Sequence, residues 1–315
     1  MLSDILQAAI IISILASTIR IATPMLLSAL GELVTERSGV MNLGVEGMML
    51  MGAFAAFGVT YFSGSIWLGV LAAMATGGLM ALIMTVMAAT LKVEQIVTGM
   101  ALNLLGSGVS LFWHRLLFDK SQVNVVTIDI FQPIHFPWLS DLPYIGQILF
   151  NHRWMTYLAF LMVPVVWFFL YRTKYGLLIR SAGENPRAVD TKGVSVTRLQ
   201  YFATLFGGVM AGLGGSFLTL GASPRFVPEI TAGRGWLAIV IVIAGNWRPW
   251  RIMLAALLFA FLDAFQLHVQ GVGVQFPHQI LLAIPYVFAI IAVMGSRARS
   301  EAPSSLGLPY FRETR

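Results

Sequence analysis

Cysteine is absent from this 315-residue sequence, which excludes a disulfide framework and any thiolate metal site. Charge is scarce. Asp, Glu, Lys and Arg make up 11 % of the chain, where a soluble domain carries about 25 %. No Gly-Lys dipeptide occurs, so the chain has no Walker A loop and hydrolyses no nucleotide by that route. HExxH and GxSxG are also missing, and no residue is a candidate for catalysis or metal binding. What fills the chain is apolar: 57 % of residues are hydrophobic and the mean hydropathy is +0.80. One water-soluble core cannot hide that much apolar surface, so the solvent must be lipid. The expectation is an all-α polytopic membrane protein with about 8–10 transmembrane or re-entrant helices.

Ten hydrophobic segments can be traced, at about 5–19, 21–35, 41–62, 66–90, 95–118, 153–171, 199–221, 236–246, 251–270 and 277–295. They make one transmembrane domain over 1–300, followed by a short tail, 301–315. The first run follows Asp4 and no Lys or Arg, so it lacks the basic start of a signal peptide and reads as retained. Segment eight has about eleven residues, too few to cross alone, and the helix is expected to be broken near the midplane where segments are short or Gly-interrupted.

The net charge of +6 suits the positive-inside rule better than a nucleic-acid polymer. Arg172, Lys174, Arg180, Arg187, Lys192 and Arg198 place loop 173–198 in the cytoplasm. Arg248 and Arg251, and Arg297, Arg299, Arg312 and Arg315 in the tail, place those regions there too. Loop 119–152 has one cation, Lys120, against Asp119, Asp129 and Asp141, and belongs outside. Ten crossings with this charge pattern put both termini in the cytoplasm.

Polar groups at membrane depth are costly and mark candidate sites. Glu46 follows Asn42 and Gly44 in a stretch whose glycines predict a local break in helix, and a lining of the transport path is favoured over simple burial. Asn103 in segment five reads better as an interhelical hydrogen bond. Asp263 and Gln266 are three apart and share a helix face, either as path residues or as interhelical partners. Lys92 and Glu94 sit at a segment end and read as interfacial, while His114 and Arg115 can snorkel outward. In segment seven Gly208 with Gly212 and Ala211 with Gly215 form small-xxx-small pairs, which predict close helix packing, with a subunit interface or path lining as the sharper alternative. In loop 173–198 Asn185 is a good N-cap, Pro186 suits the first helical position and Gly193 can end the turn in a left-handed conformation, predicting a short helix over 186–192.

Two stretches resemble a known family. Residues 31–53, GELVTERSGVMNLGVEGMMLMGA, are similar to permease subunits of bacterial ABC importers for nucleosides and simple sugars, within the wider ribose and branched-chain amino-acid permease superfamily. Residues 176–194, GLLIRSAGENPRAVDTKGV, resemble that superfamily's cytoplasmic coupling segment. Length and the Glu36-Arg37-Ser38-Gly39 run resemble the shorter permease of nucleoside systems.

The resemblance implies a division of labour. An extracytoplasmic lipoprotein captures a small molecule, two homologous permeases in the bacterial inner membrane form the path, and cytoplasmic ABC ATPase subunits bind ATP. This chain would need no cofactor of its own. Glu184, Asn185, Pro186, Arg187, Ala188, Asp190 and Lys192 would form the docking helix, and Asn42, Gly44 and Glu46 would lie at a broken helix near the path. The expected cargo is a nucleoside, with a ribose-like sugar as the alternative. An ion-coupled secondary transporter using Glu46 and Asp263 as proton or sodium sites is the competing class.

Overall fold

The computed structural model describes residues 2–118, 126–140, 142–271 and 301–311, with isolated positions between 283 and 294. Asp119, Lys120, Asp141 and the tail residues Arg297, Arg299, Arg312 and Arg315, used above to orient loops, lie outside the described residues. So does segment ten, apart from those isolated positions.

The chain is helical: α1 (Leu2–Arg37), α2 (Val45–Ser63), α3 (Ile66–Thr85), α4 (Gln95–Phe118), α5 (Ile145–Leu149), α6 (Trp154–Arg172), α7 (Lys174–Glu184), α8 (Pro186–Thr191), α9 (Val196–Phe217), α10 (Arg234–Ala244) and α11 (Pro249–Gly271). One two-residue ribbon, β1 (Ile134–His135) against β2 (Asn151–His152), closes the loop between α4 and α6. Among the described residues seven helices are long and apolar enough to cross a membrane, and α10 is a shorter apolar helix.

Segments one and two are not separate. They form one helix of 36 residues. Arg20 does not interrupt it, because its guanidinium folds back to Ser17 Oγ at 3.1 Å and stays on the helix surface. Pro24 is accommodated mid-helix. Thr23 beside it bonds back to Ile19 O (3.0 Å) and across to Thr156 Oγ1 on α6 (3.0 Å), so a neighbouring helix steadies the weakened turn.

This fusion changes the parity. Near one end of α1, Ser13 meets His268 of α11 at 3.0 Å, and Arg20 lines a cavity of about 760 Å³ with Pro133, His152 and Arg153 of the α4–α6 loop. At the other end Arg37 donates to Trp247 O (2.9 Å) and to Glu301 O of the tail (3.3 Å). The first turns of α1 and residues 301–311 therefore lie at opposite ends of the bundle.

Helix α9 is the centre of the bundle, with α1, α2 and α3 packed directly on it. Its small residues make that possible. A Cβ added at Gly212 would lie 2.2 Å from Ala73 O, and one at Gly77 would lie 2.2 Å from Gly208 O. Lipid supplies no hydrophobic drive between helices, so close backbone contact replaces it. The small-xxx-small stripe of segment seven is thus internal packing. The same apolar core extends from α9 to α1, α6, α10 and α11 through Leu213, Leu26, Leu30, Val163, Ile241 and Phe259. Helix α4 stands at the edge, with Met100, Leu104 and Phe112 exposed.

Candidate functional site

Between α1 and α2 the chain turns back through a non-helical segment. Gly39 takes the left-handed conformation (φ +92°) that a side chain would disfavour, and its N–H closes on Glu36 O at 2.9 Å. Such a break frees backbone groups that lipid cannot satisfy. Three side chains take them up. Buried Glu32 accepts from Asn42 N (3.2 Å) and Asn42 Nδ2 (3.1 Å). Asn42 Oδ1 accepts from Gly44 N at 3.1 Å. Asn103 reaches over from α4, accepting from Gly47 N (2.8 Å) and donating to Leu43 O (2.7 Å). The predicted break is present, and Asn103 is the interhelical hydrogen bond its sequence context suggested.

A second discontinuity faces the first. Helix α10 has 11 residues, about 16 Å of rise against a hydrocarbon core of about 30 Å. Its last residues lead to the Arg37 and Glu301 end of the bundle, where Glu301 N donates to Asn246 Oδ1 at 2.7 Å, so its first residues lie near mid-depth. Glu46 from α2 seals that N-terminus: Oε1 accepts from Gly233 N (2.9 Å) and Oε2 from Gly235 N (2.6 Å). A carboxylate is the natural partner for the unsatisfied N–H groups and positive dipole end found there. On its other side, Arg234 approaches Asp263 of α11 at 3.7 Å. Gln266, one turn further along α11, is buried.

Glu46, Gly47 and Asn103 also line an open groove of about 380 Å³ with Met100, Leu104, Ser107, Glu229 and Trp236. Ser107 lies midway along α4 and donates to Glu229, which is exposed. Sequence reasoning passed over Glu229 because it falls between two hydrophobic segments, at 199–221 and 236–246. The usable signal was the shortness of segment eight, which requires the preceding loop to descend into the membrane. Glu32, Glu36 and Arg37 were likewise quoted in a motif but given no role. Glu36 accepts from Trp247 Nε1, and with Arg37 it ties α1 to the corner between α10 and α11.

At the far end of the bundle α7 and α8 form a bent pair. Asn185 Oδ1 accepts from Ala188 N at 3.2 Å, Pro186 occupies the first turn, and Gly193 (φ +81°) ends it, as the sequence predicts. Val189 anchors α8 against Ala182 and Val196, leaving Arg187, Ala188 and Lys192 exposed. Glu184 and Asp190 turn to the tail instead. Ser304 donates to Glu184 Oε2 through its N–H (3.3 Å) and hydroxyl (2.9 Å), and Tyr310 OH donates to Asp190 Oδ2 (3.0 Å).

The tail continues as a strap. Ser305 N donates to Gly183 O (2.8 Å), Gly307 N to Gly39 O (3.1 Å), and Lys92 lies 4.2 Å from the Phe311 ring centre. Glu301 is paired with Arg248, whose guanidinium holds its carboxyl below the usual range.

A discontinuous span whose half-helix starts at mid-depth, beside a largely apolar groove that also holds Glu46, Asn103, Ser107 and Glu229, fits a membrane transporter of the broken-helix kind. The chain belongs to the family described as branched-chain amino acid transport system permease component, whose profile matches residues 14–294. It is 39 % identical to TsgC13 of Haloferax volcanii, provisionally named a glucose ABC transporter permease protein, over 95 % of this chain and 98 % of that one. It is 35 % identical to the guanosine ABC transporter permease protein NupQ of Bacillus subtilis, over 99 % and 100 %. The nucleoside ABC transporter permease protein NupC of Lactococcus lactis is 30 % identical over 95 % and 96 %. No solved structure matches the chain.

Proposed function

We propose that this permease is one of two such subunits in an inner-membrane ABC importer for nucleosides. The observation that carries the reading is Glu229, an exposed carboxylate at the level of the middle of α4. Lipid would not tolerate it there, so this face meets water and a second permease. The guanosine and nucleoside permeases among the relatives favour a nucleoside as cargo. The glucose permease keeps a simple sugar as the second reading.

In this mechanism separate ATPase subunits close on ATP and move the exposed Asn185–Lys192 turn. Gly183 and Glu184 pass the motion to the strap, and Glu301 and Asn246 pass it to the foot of α10. The groove then opens alternately to either side. The α8 face and the tail lie inside, the first turns of α1 lie outside, and a capture lipoprotein delivers substrate there. An ion-coupled transporter is disfavoured because Glu46 is occupied by two backbone N–H groups and Asp263 by Arg234.

The test is reconstitution of the complex with its ATPase and assay of nucleoside-stimulated ATP hydrolysis. Replacing residues 185–192 by a Gly/Ser linker is expected to abolish the stimulation while the subunits still fold. Stimulation unchanged by that replacement, or uptake by this chain alone under a proton gradient, would overturn the reading.

A further inference from the structure

Glu229 is held in an unusual way for a surface carboxylate. Its backbone is left-handed (φ +60°), as is that of Ala232 (φ +47°), and the turn is closed by Ala232 N on Glu229 O at 2.9 Å. Non-glycine residues take that conformation rarely, and where they do the surroundings enforce it, often at ligand clamps. The Glu229 side chain is held as well, by Ser107, whose hydroxyl donates to Oε1. The second oxygen takes no partner among the described residues, and Glu229 itself lines the groove.

A carboxylate is acceptor-only and can take two donors side by side. Of the groups on a nucleoside, the vicinal hydroxyls of the ribose offer such a pair, and they are common to all ribonucleosides whatever the base. Trp236, in the first turn of α10, lines the same groove and is 40 % exposed. An aromatic face accepts any base, because every base has a π surface. The cavity of about 380 Å³ lies within the range of small-molecule sites, about 300–1,000 Å³.

Resting on the nucleoside reading above, we infer that Glu229 is a specificity-determining residue that accepts the ribose vicinal hydroxyls, with Trp236 stacking on the base. Ser107 is a positioning residue that fixes the carboxylate. The permease thus checks the sugar and tolerates the base.

The experiment measures uptake of guanosine, 2′-deoxyguanosine, uridine and 2′-deoxyuridine by the full complex in proteoliposomes. The same capture protein is used throughout, so its own preference cancels between variants. The wild-type complex is expected to favour each ribonucleoside over its deoxy form. Glu229→Gln is expected to lower that ratio about tenfold for both bases, since a hydrogen bond to a charged group is lost. Ser107→Ala is expected to lower it by a smaller factor, and Trp236→Leu to slow all four alike with the ratio kept. An unchanged ratio in Glu229→Gln overturns the inference, as does a loss confined to guanosine and 2′-deoxyguanosine, which would put the base on Glu229. Should Glu229→Gln fail to assemble, an unchanged ratio in Ser107→Ala overturns it. A wild-type complex that carries no nucleoside overturns the functional reading instead, a separate result.

Discussion

The Glu46 carboxylate lies 2.6 Å from the N–H of Gly235, a residue 189 positions away, and so fastens α2 to the half-helix that opens the groove. Gly235 leaves the room for this, since a Cβ there would sit 2.5 Å from Glu46 Cα. Replacing Glu46 by Ala strands the N–H groups of Gly233 and Gly235 and removes the charge facing the dipole. The expected cost is about 2–4 kcal/mol, with Glu46→Gln intermediate. Thermal unfolding of the detergent-purified chain measures it, and an Ala variant as stable as wild type would deny the cap its role.

At Gly212 α9 crosses α3 at close range, and a methyl there would overlap Ala73 O. Gly212→Ala is expected to destabilise by about 1–3 kcal/mol, the usual cost of overpacking, and Gly212→Leu to prevent folding. Gly108 is the control: a Cβ there meets open space, so Gly108→Ala should leave expression and melting temperature unaltered.

The strap makes coupling depend on pH through Glu301. Its carboxyl is held low by the hydrogen bonds and charge of Arg248, so the tie is complete above the unfolded carboxylate pKa of about 4.3 and is lost as pH falls through the lower folded value. Glu301→Gln should remove that acid-side change. It should also raise basal ATP hydrolysis relative to nucleoside-stimulated hydrolysis in the complex, and Tyr310→Phe should do so more weakly. A stimulation ratio identical to wild type in both variants would mean the strap transmits nothing.

His152 gives a second pH dependence at the opposite end. Burial and the nearby Arg20 and Arg153 charges push its pKa down, although its hydrogen bond to Ile148 O works the other way. The neutral ring therefore stabilises the fold above the ordinary histidine pKa of about 6.5, and that contribution is lost as pH falls below it towards the depressed folded value. The melting temperature should drop between pH 7.5 and 5.5 more in wild type than in His152→Gln. Equal drops would assign the effect to other groups.

Local signals in the sequence were read well. Asn185, Pro186 and Gly193 announce a capped turn because each acts within four residues of itself. The glycines of α9 announce close packing because nothing else explains them in lipid. The sequence says less where a distant partner decides the outcome. Arg20 falls between hydrophobic segments one and two, yet with its guanidinium on Ser17 it stays inside one continuous helix. Glu46 has a partner that no local pattern announces: α10 takes its carboxylate while its flank lies on the groove. Glu229 was invisible because depth in a membrane is set by the whole bundle, and no pattern within ten residues encodes it.

The length of α1 has a practical consequence. Because the head of the chain and residues 301–311 sit at opposite ends of the bundle, two copies cannot be fused tail to head through a soluble peptide. A single-gene tandem permease would need an additional hydrophobic span as its linker.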